Sequence, residues 1–122
     1  MNLLAVFIGG GLGSLGRYLM GILFQRILIS LPLATLTANV TACLIFALAL
    51  KLFGAKMDEQ PQMKLFLLTG ICGGLSTFST FSFETFRLFK TGQPEYALLN
   101  IIISLLLCLL MFYLFANTAK TD

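Results

Sequence analysis

Fifteen residues from Gly70 to Glu84 hold most of the chain's chemically capable side chains: three glycines, the hydroxyls of Ser76, Thr77, Ser79, Thr80 and Ser82, the rings of Phe78, Phe81 and Phe83, and the carboxylate of Glu84. A phenyl ring carries positive potential at its edge, so ring edges beside O–H and N–H donors form a neutral lining that favours anions. Arg17, Asn39, Asn100 and Ser104 are the other polar groups set inside apolar sequence. The chain has no histidine, and Cys43, Cys72 and Cys108 are each isolated in an apolar run with no C-x-x-C pair. Those cysteines read as buried apolar residues, and zinc chemistry and histidine-based catalysis are excluded. No nucleotide motif, no nucleophile paired with a base and no proton relay is present, so an enzyme is not expected. A nucleic-acid partner is not expected either.

These groups need an unusual scaffold. Of 122 residues, 58% are hydrophobic and only 11% charged, whereas a soluble domain would carry roughly a quarter charged residues. The chain therefore reads as an all-α integral membrane protein. A helix crosses the bilayer with about 20 apolar residues, and four such segments cover residues 3–24, 33–53, 63–86 and 96–115. Short polar breaks lie at 25–32, 54–62 and 87–95, and Pro32, Pro61 and Pro94 each precede a predicted helix, where a missing N–H costs least. Residues 1–122 thus form one four-helix transmembrane domain. The apolar runs are continuous, not alternating, which argues against a lipid-facing barrel. The first run lacks a basic start and a small-residue cleavage pattern, so it reads as a retained helix and not a secretory signal.

Each segment then positions part of the chemistry. Gly9 and Gly13 form a G-x-x-x-G pair that lets two helix backbones approach. Arg17 lies deep in the first segment, where a cation must snorkel, pair or meet water. It either reaches a headgroup or lends positive charge to a wet vestibule. Thr35, Asn39 and Cys43 make a stripe on the second helix, and the Asn39 amide could bond a neighbouring helix or face a passing anion. In the third, Gly70, Gly73 and Gly74 weaken the helix. A break near Gly73–Ser76 is predicted, the helix ending near Ile71 and restarting near Thr77, with Ser76 or Thr77 capping the second half. Freed carbonyls at such a break suit a small cation. Asn100 and Ser104, four apart on the fourth helix, could complete a polar stripe or bond across it.

The Lys and Arg count hardly favours either orientation. Lys51, Lys56, Lys64 and Lys120 fall on the side of the termini and middle loop; Arg26, Arg87 and Lys90 fall opposite, with Arg17 if it reaches that interface. Cytoplasmic loops normally carry the excess, so this chain could insert both ways and pair as an antiparallel dimer of eight helices. A cation path would want carboxylate or carbonyl rings, and four short helices cannot enclose a large organic solute. A small anion that accepts strong hydrogen bonds fits best.

Three stretches, in order and spacing, resemble the Fluc (CrcB) fluoride channels of bacteria and archaea. They are Gly-Gly-Gly-Leu-Gly-Ser-Leu-Gly-Arg-Tyr over 9–18, Ala-Thr-Leu-Thr-Ala-Asn-Val-Thr over 34–41, with Ala34 where that family usually has glycine, and the 70–84 run. The resemblance covers essentially the whole chain. It implies a passive, fluoride-selective channel in a prokaryotic inner (plasma) membrane that relieves fluoride toxicity. The assembly would be an antiparallel dual-topology homodimer in lipid, with two pores and a structural sodium ion (Na+) at its centre. On this sequence it implies Phe78 and Phe81 as pore rings, Asn39 as pore amide and Ser79, Thr80 and Ser104 as nearby hydroxyls. Arg17 would sit in the vestibule and Glu84 near the other end, with the carbonyls of Gly73 and Ser76 from both subunits holding the sodium. Asn100 stands where some relatives have tyrosine.

Two other readings of a small four-span protein make contrary demands. A dual-topology multidrug/proton exchanger needs a membrane carboxylate, typically in its first helix, and that helix here has none. A holin or packing subunit needs only small-residue motifs and leaves the hydroxyl and phenylalanine run unexplained.

Overall fold

A computed structural model describes residues 1–27 and 31–116. Helices are the regular elements among its described residues, with four spans long and apolar enough to cross a membrane: Asn2–Leu23, Leu33–Glu59, Pro61–Lys90 and Pro94–Ala116. We call the first two α1 and α2 and the last α5. The third is divided. Residues 61–75, our α3, comprise an α-turn at Pro61–Lys64, a π-helix at Leu65–Cys72 and a second α-turn at Gly73–Leu75; after a break, Phe78–Lys90 forms α4.

α1 holds six glycines, each costing roughly 1 kcal/mol against alanine in water. Lipid offers the backbone no other hydrogen-bond partner, so the helix persists. What the glycines provide is closeness. A Cβ on Gly70 would stand 2.8 Å from the Gly9 Cα, and one on Gly74 would stand 2.5 Å from the Gly10 carbonyl oxygen. Side chains at Gly9 and Gly13 would strike the Phe66 and Ile71 carbonyls. α1 and α3 therefore touch backbone to backbone, as the G-x-x-x-G spacing predicts.

The break falls later than the sequence reading placed it. Gly73 keeps helical angles, and the chain becomes extended only at Ser76 and Thr77 before restarting at Phe78. Gly70, Gly73 and Gly74 are thus inside α3; for Gly70 and Gly74, close packing against α1 outweighs their weak helix preference. The cap does match: Thr77 precedes α4, and its hydroxyl accepts the Thr80 N–H at 3.2 Å.

The connections are shorter than expected. α2 continues to Glu59 through Ala55, Lys56 and Met57, all good helix formers. Only Gln60 separates it from Pro61, the first residue of α3. α4 runs on to Lys90 and ends in a Schellman turn. There Gln93 N–H donates to the Leu88 carbonyl at 2.8 Å, and Gly92 takes φ +78°, which suits glycine.

The core is built of small residues. Ala38 and Ala42 of α2 pack on Cys72 and Leu75 of α3, and Ala49 and Met57 on Leu68. Large apolar side chains such as Leu3, Phe7, Leu109 and Tyr113 point outward, the reverse of a soluble protein and the arrangement lipid favours.

Candidate functional site

The break is held by its neighbours. In a continuous helix, the Thr77 N–H would donate to the Gly73 carbonyl; here it donates to the Asn39 Oδ1 at 2.7 Å. The Thr80 N–H, the usual partner of the Ser76 carbonyl, goes to the Thr77 hydroxyl instead. Both carbonyls singled out from sequence are therefore relieved of their normal helical donors. Oxygen donors of this kind suit a hard cation, so the residues present fit a sodium ion. The Ser76 hydroxyl is used locally, donating to the Cys72 carbonyl at 2.8 Å.

Asn39 has two faces. Its oxygen is committed to Thr77, while among the described residues no acceptor holds its Nδ2 donors. The residue borders a cavity of about 220 Å³ shared with Ser76, Thr77, Phe78, Phe81 and Ser104. The rings of Phe78 and Phe81 lie 5.9 Å apart between centroids at an interplanar angle of 38°. Phe81 is half-buried, whereas Phe78 is 80% exposed on the single chain. One wall of this site thus stands open.

A second cavity, of about 590 Å³, is bordered by Arg17, Thr35, Thr80 and Glu84 among others. Arg17 turns inward and donates through Nε to the Gly74 carbonyl at 3.1 Å, at the carbonyl-rich end of α3, where a cation is favoured. Of the two roles the sequence left open for Arg17, this is the one that faces a cavity. The Thr35 hydroxyl donates to Glu84 Oε1 at 2.5 Å. Arg17 and Glu84, expected at opposite ends of a path, border one cavity within a single chain.

Ser104 joins the first cavity to a buried ladder. Its hydroxyl donates to Asn100 Oδ1 at 3.4 Å, Asn100 Nδ2 donates to Thr85 Oγ1 at 3.0 Å, and the Thr85 hydroxyl donates to the Phe81 carbonyl at 2.8 Å. Asn100 is 2% exposed, with both its amide oxygen and its amide nitrogen hydrogen-bonded, which settles its sequence ambiguity as a bond across α4 and α5. Ser79 is exposed; its hydroxyl lies 3.3 Å from that of Thr77, which also donates to the Thr80 hydroxyl at 3.1 Å.

Four contributors escaped sequence reasoning. Thr35 was visible only as a stripe member, Thr85 stood out in no way, and Cys43 and Cys108, read as plain apolar filling, border the Asn39 cavity. The available signal was spacing: Cys43 lies four residues after Asn39, and Cys108 four after Ser104.

Four apolar spans with amides, hydroxyls and phenyl rings gathered at a helix break define a multi-pass membrane protein of the transport class. Comparison with known proteins gives the lineage. The family described as "CrcB-like protein, Camphor Resistance (CrcB)" matches residues 4–115, and the chain belongs to it. The "Fluoride-specific ion channel FluC" of Escherichia coli (strain Crooks) is 43% identical over 122 residues, covering 96% of each chain. The protein of that name from Salmonella arizonae is 41% identical over 121 residues, covering 96% of this chain and 95% of its own. Membership places the chain among multi-pass prokaryotic membrane channels and not among enzymes.

Proposed function

We propose that this chain is a passive, fluoride-selective channel that lets cytoplasmic fluoride leave the cell across its inner (plasma) membrane. The observation that carries the reading is the Asn39 cavity, where free amide donors meet the rings of Phe78 and Phe81 and the Ser104 hydroxyl. The names of its relatives point to the same ion. Fluoride is small and accepts strong hydrogen bonds, so amide N–H, hydroxyls and ring edges replace its water with no buried countercharge. Ser79 and Thr80 extend the donors past the break, and Arg17 raises the local anion concentration in the vestibule it shares with Glu84.

The mechanism needs no covalent step. Fluoride enters an acidified cell as neutral HF, dissociates at cytoplasmic pH and is trapped as an anion. A channel lets the anion run out down the electrical gradient.

We further propose an antiparallel homodimer. The exposed Phe78 ring and the bare apolar helix faces leave a wall for a second copy to supply, and the even Lys/Arg count permits it to insert inverted. The carbonyls of Gly73 and Ser76 from both copies would hold a structural sodium ion, a fixed positive charge tying the two breaks together.

Fluoride efflux from proteoliposomes, read by electrode after a potassium ionophore is added, tests the channel. The unmodified protein is expected to empty the vesicles of fluoride and not of chloride, and Phe81→Ile to abolish the efflux while remaining folded. No efflux from folded, sodium-loaded protein would refute the reading.

A further inference from the structure

Cys43 and Cys108 were set aside as apolar filling, yet they border one cavity where α2 packs on α5. Neighbouring pairs fix the register of that contact. One turn onward, the rings of Phe46 and Phe112 meet edge to face at 5.4 Å between centroids. One turn back are Asn39 and Ser104, and all four residues, Asn39, Cys43, Ser104 and Cys108, border the same cavity with Phe78 and Phe81. Both cysteines are free and only half-buried, unlike Cys72.

We propose that Cys43 and Cys108 form a two-sulfur site for a soft divalent cation of linear preference, Hg²⁺ in the first instance, and that its occupation blocks the cavity. Softness selects sulfur ligands. Each S–H releases its proton to water and two S–Hg bonds form, with no electron transferred. Two thiolates on one divalent ion leave a neutral adduct, so no uncompensated charge remains at membrane depth. Zinc is poorly served, because it wants four ligands and no group of three or more His, Cys, Asp or Glu side chains occurs among the described residues. The metal site stands on the thiol pair alone; the block rests on the channel reading.

The test uses the full chain carrying Cys72→Ala, so that two thiols remain. HgCl₂ is titrated into purified protein, followed by mercury–thiolate ultraviolet absorption, and each thiol is then counted by maleimide labelling and intact mass. One mercury per chain is expected to protect both thiols, and zinc neither. Stripping that mercury should take roughly tenfold more competing monothiol than in Cys43→Ser or Cys108→Ser, since the second sulfur acts at high effective concentration. Two mercury ions per chain, or a thiol left open to maleimide after one equivalent, would overturn the site. In proteoliposomes, one equivalent should stop fluoride efflux in the Cys72→Ala protein, and a monothiol wash just strong enough to strip the two serine variants should restore efflux in them and not in it, each compared with its own untreated rate. A bridged mercury that leaves efflux intact would overturn the block. Should untreated protein pass no fluoride, the channel reading fails while the titration still decides the metal site.

Discussion

Asn39 does two jobs that a single substitution can separate. Its oxygen takes the Thr77 N–H that would otherwise close the helix, and its Nδ2 donors border the Phe78 and Phe81 cavity. Alanine would remove both functions and tell nothing apart. Asn39→Asp keeps an acceptor for Thr77 but replaces the Nδ2 donors with a second acceptor, where the proposed channel would receive its anion. The expected outcome is a protein that still elutes as folded material and binds at the break, yet passes fluoride at least about tenfold more slowly, since each 1.4 kcal/mol of lost stabilisation is a factor of ten. Proteoliposome efflux beside size-exclusion and thermal-melt profiles checks it; unimpaired efflux would remove the Asn39 donors from the path. Thr85 and Asn100 work at the same scale without facing the cavity: the ladder from Ser104 ends on the Phe81 carbonyl and so fixes where that ring's backbone sits.

α3 shows what one glycine-rich helix needs from another. Gly74 has the Gly10 carbonyl and the Ser14 nitrogen within 3.0 Å of where a Cβ would lie, all backbone atoms that no rotamer change can move. Gly74→Ala must therefore push α1 and α3 apart, an overpacking cost of about 1–3 kcal/mol, and should lower the melting temperature. Gly11→Ala, with open space around the same position on α1, is the control and should leave the melt unchanged or raised. Equal effects at the two sites would contradict the contact. The same pair explains what the sequence could not disclose. Glycine at 70, 73 and 74 signals a weak helix or a close approach equally well, and only the partner helix decides. Hydroxyls carried more information: Ser76 or Thr77 was legible as the cap of α4 because a side-chain acceptor must sit just before orphan N–H groups, and Thr77 is the one that takes the role. Span number and membrane character were plain from hydropathy. The thiol pair was not, because it joins residues 65 positions apart through the packing of α2 on α5.

For the molecule as a whole, the open wall beside Phe78 makes orientation part of function. If two inverted copies complete the site, a chain forced to insert one way up cannot form it alone. The Lys and Arg residues divide almost evenly, with Lys51, Lys56 and Lys64 on the side of the α2–α3 turn and Arg26, Arg87 and Lys90 on the other. Lys120 lies outside the described residues. A few added lysines should therefore tip the balance. Gln60→Lys with Gln62→Lys, at exposed positions of the α2–α3 turn, should keep that turn cytoplasmic. Gln25→Lys with Gln93→Lys should keep the opposite face there. Each double variant expressed alone is expected to insert in one orientation, as read by accessibility of a terminal tag, and to confer no fluoride efflux. Expressed together they should restore efflux, since each supplies the inverted partner the other lacks. Full activity from either variant alone, with its orientation shown to be uniform, would mean that the wall beside Phe78 is closed by something other than an inverted copy, and the antiparallel assembly would have to be abandoned.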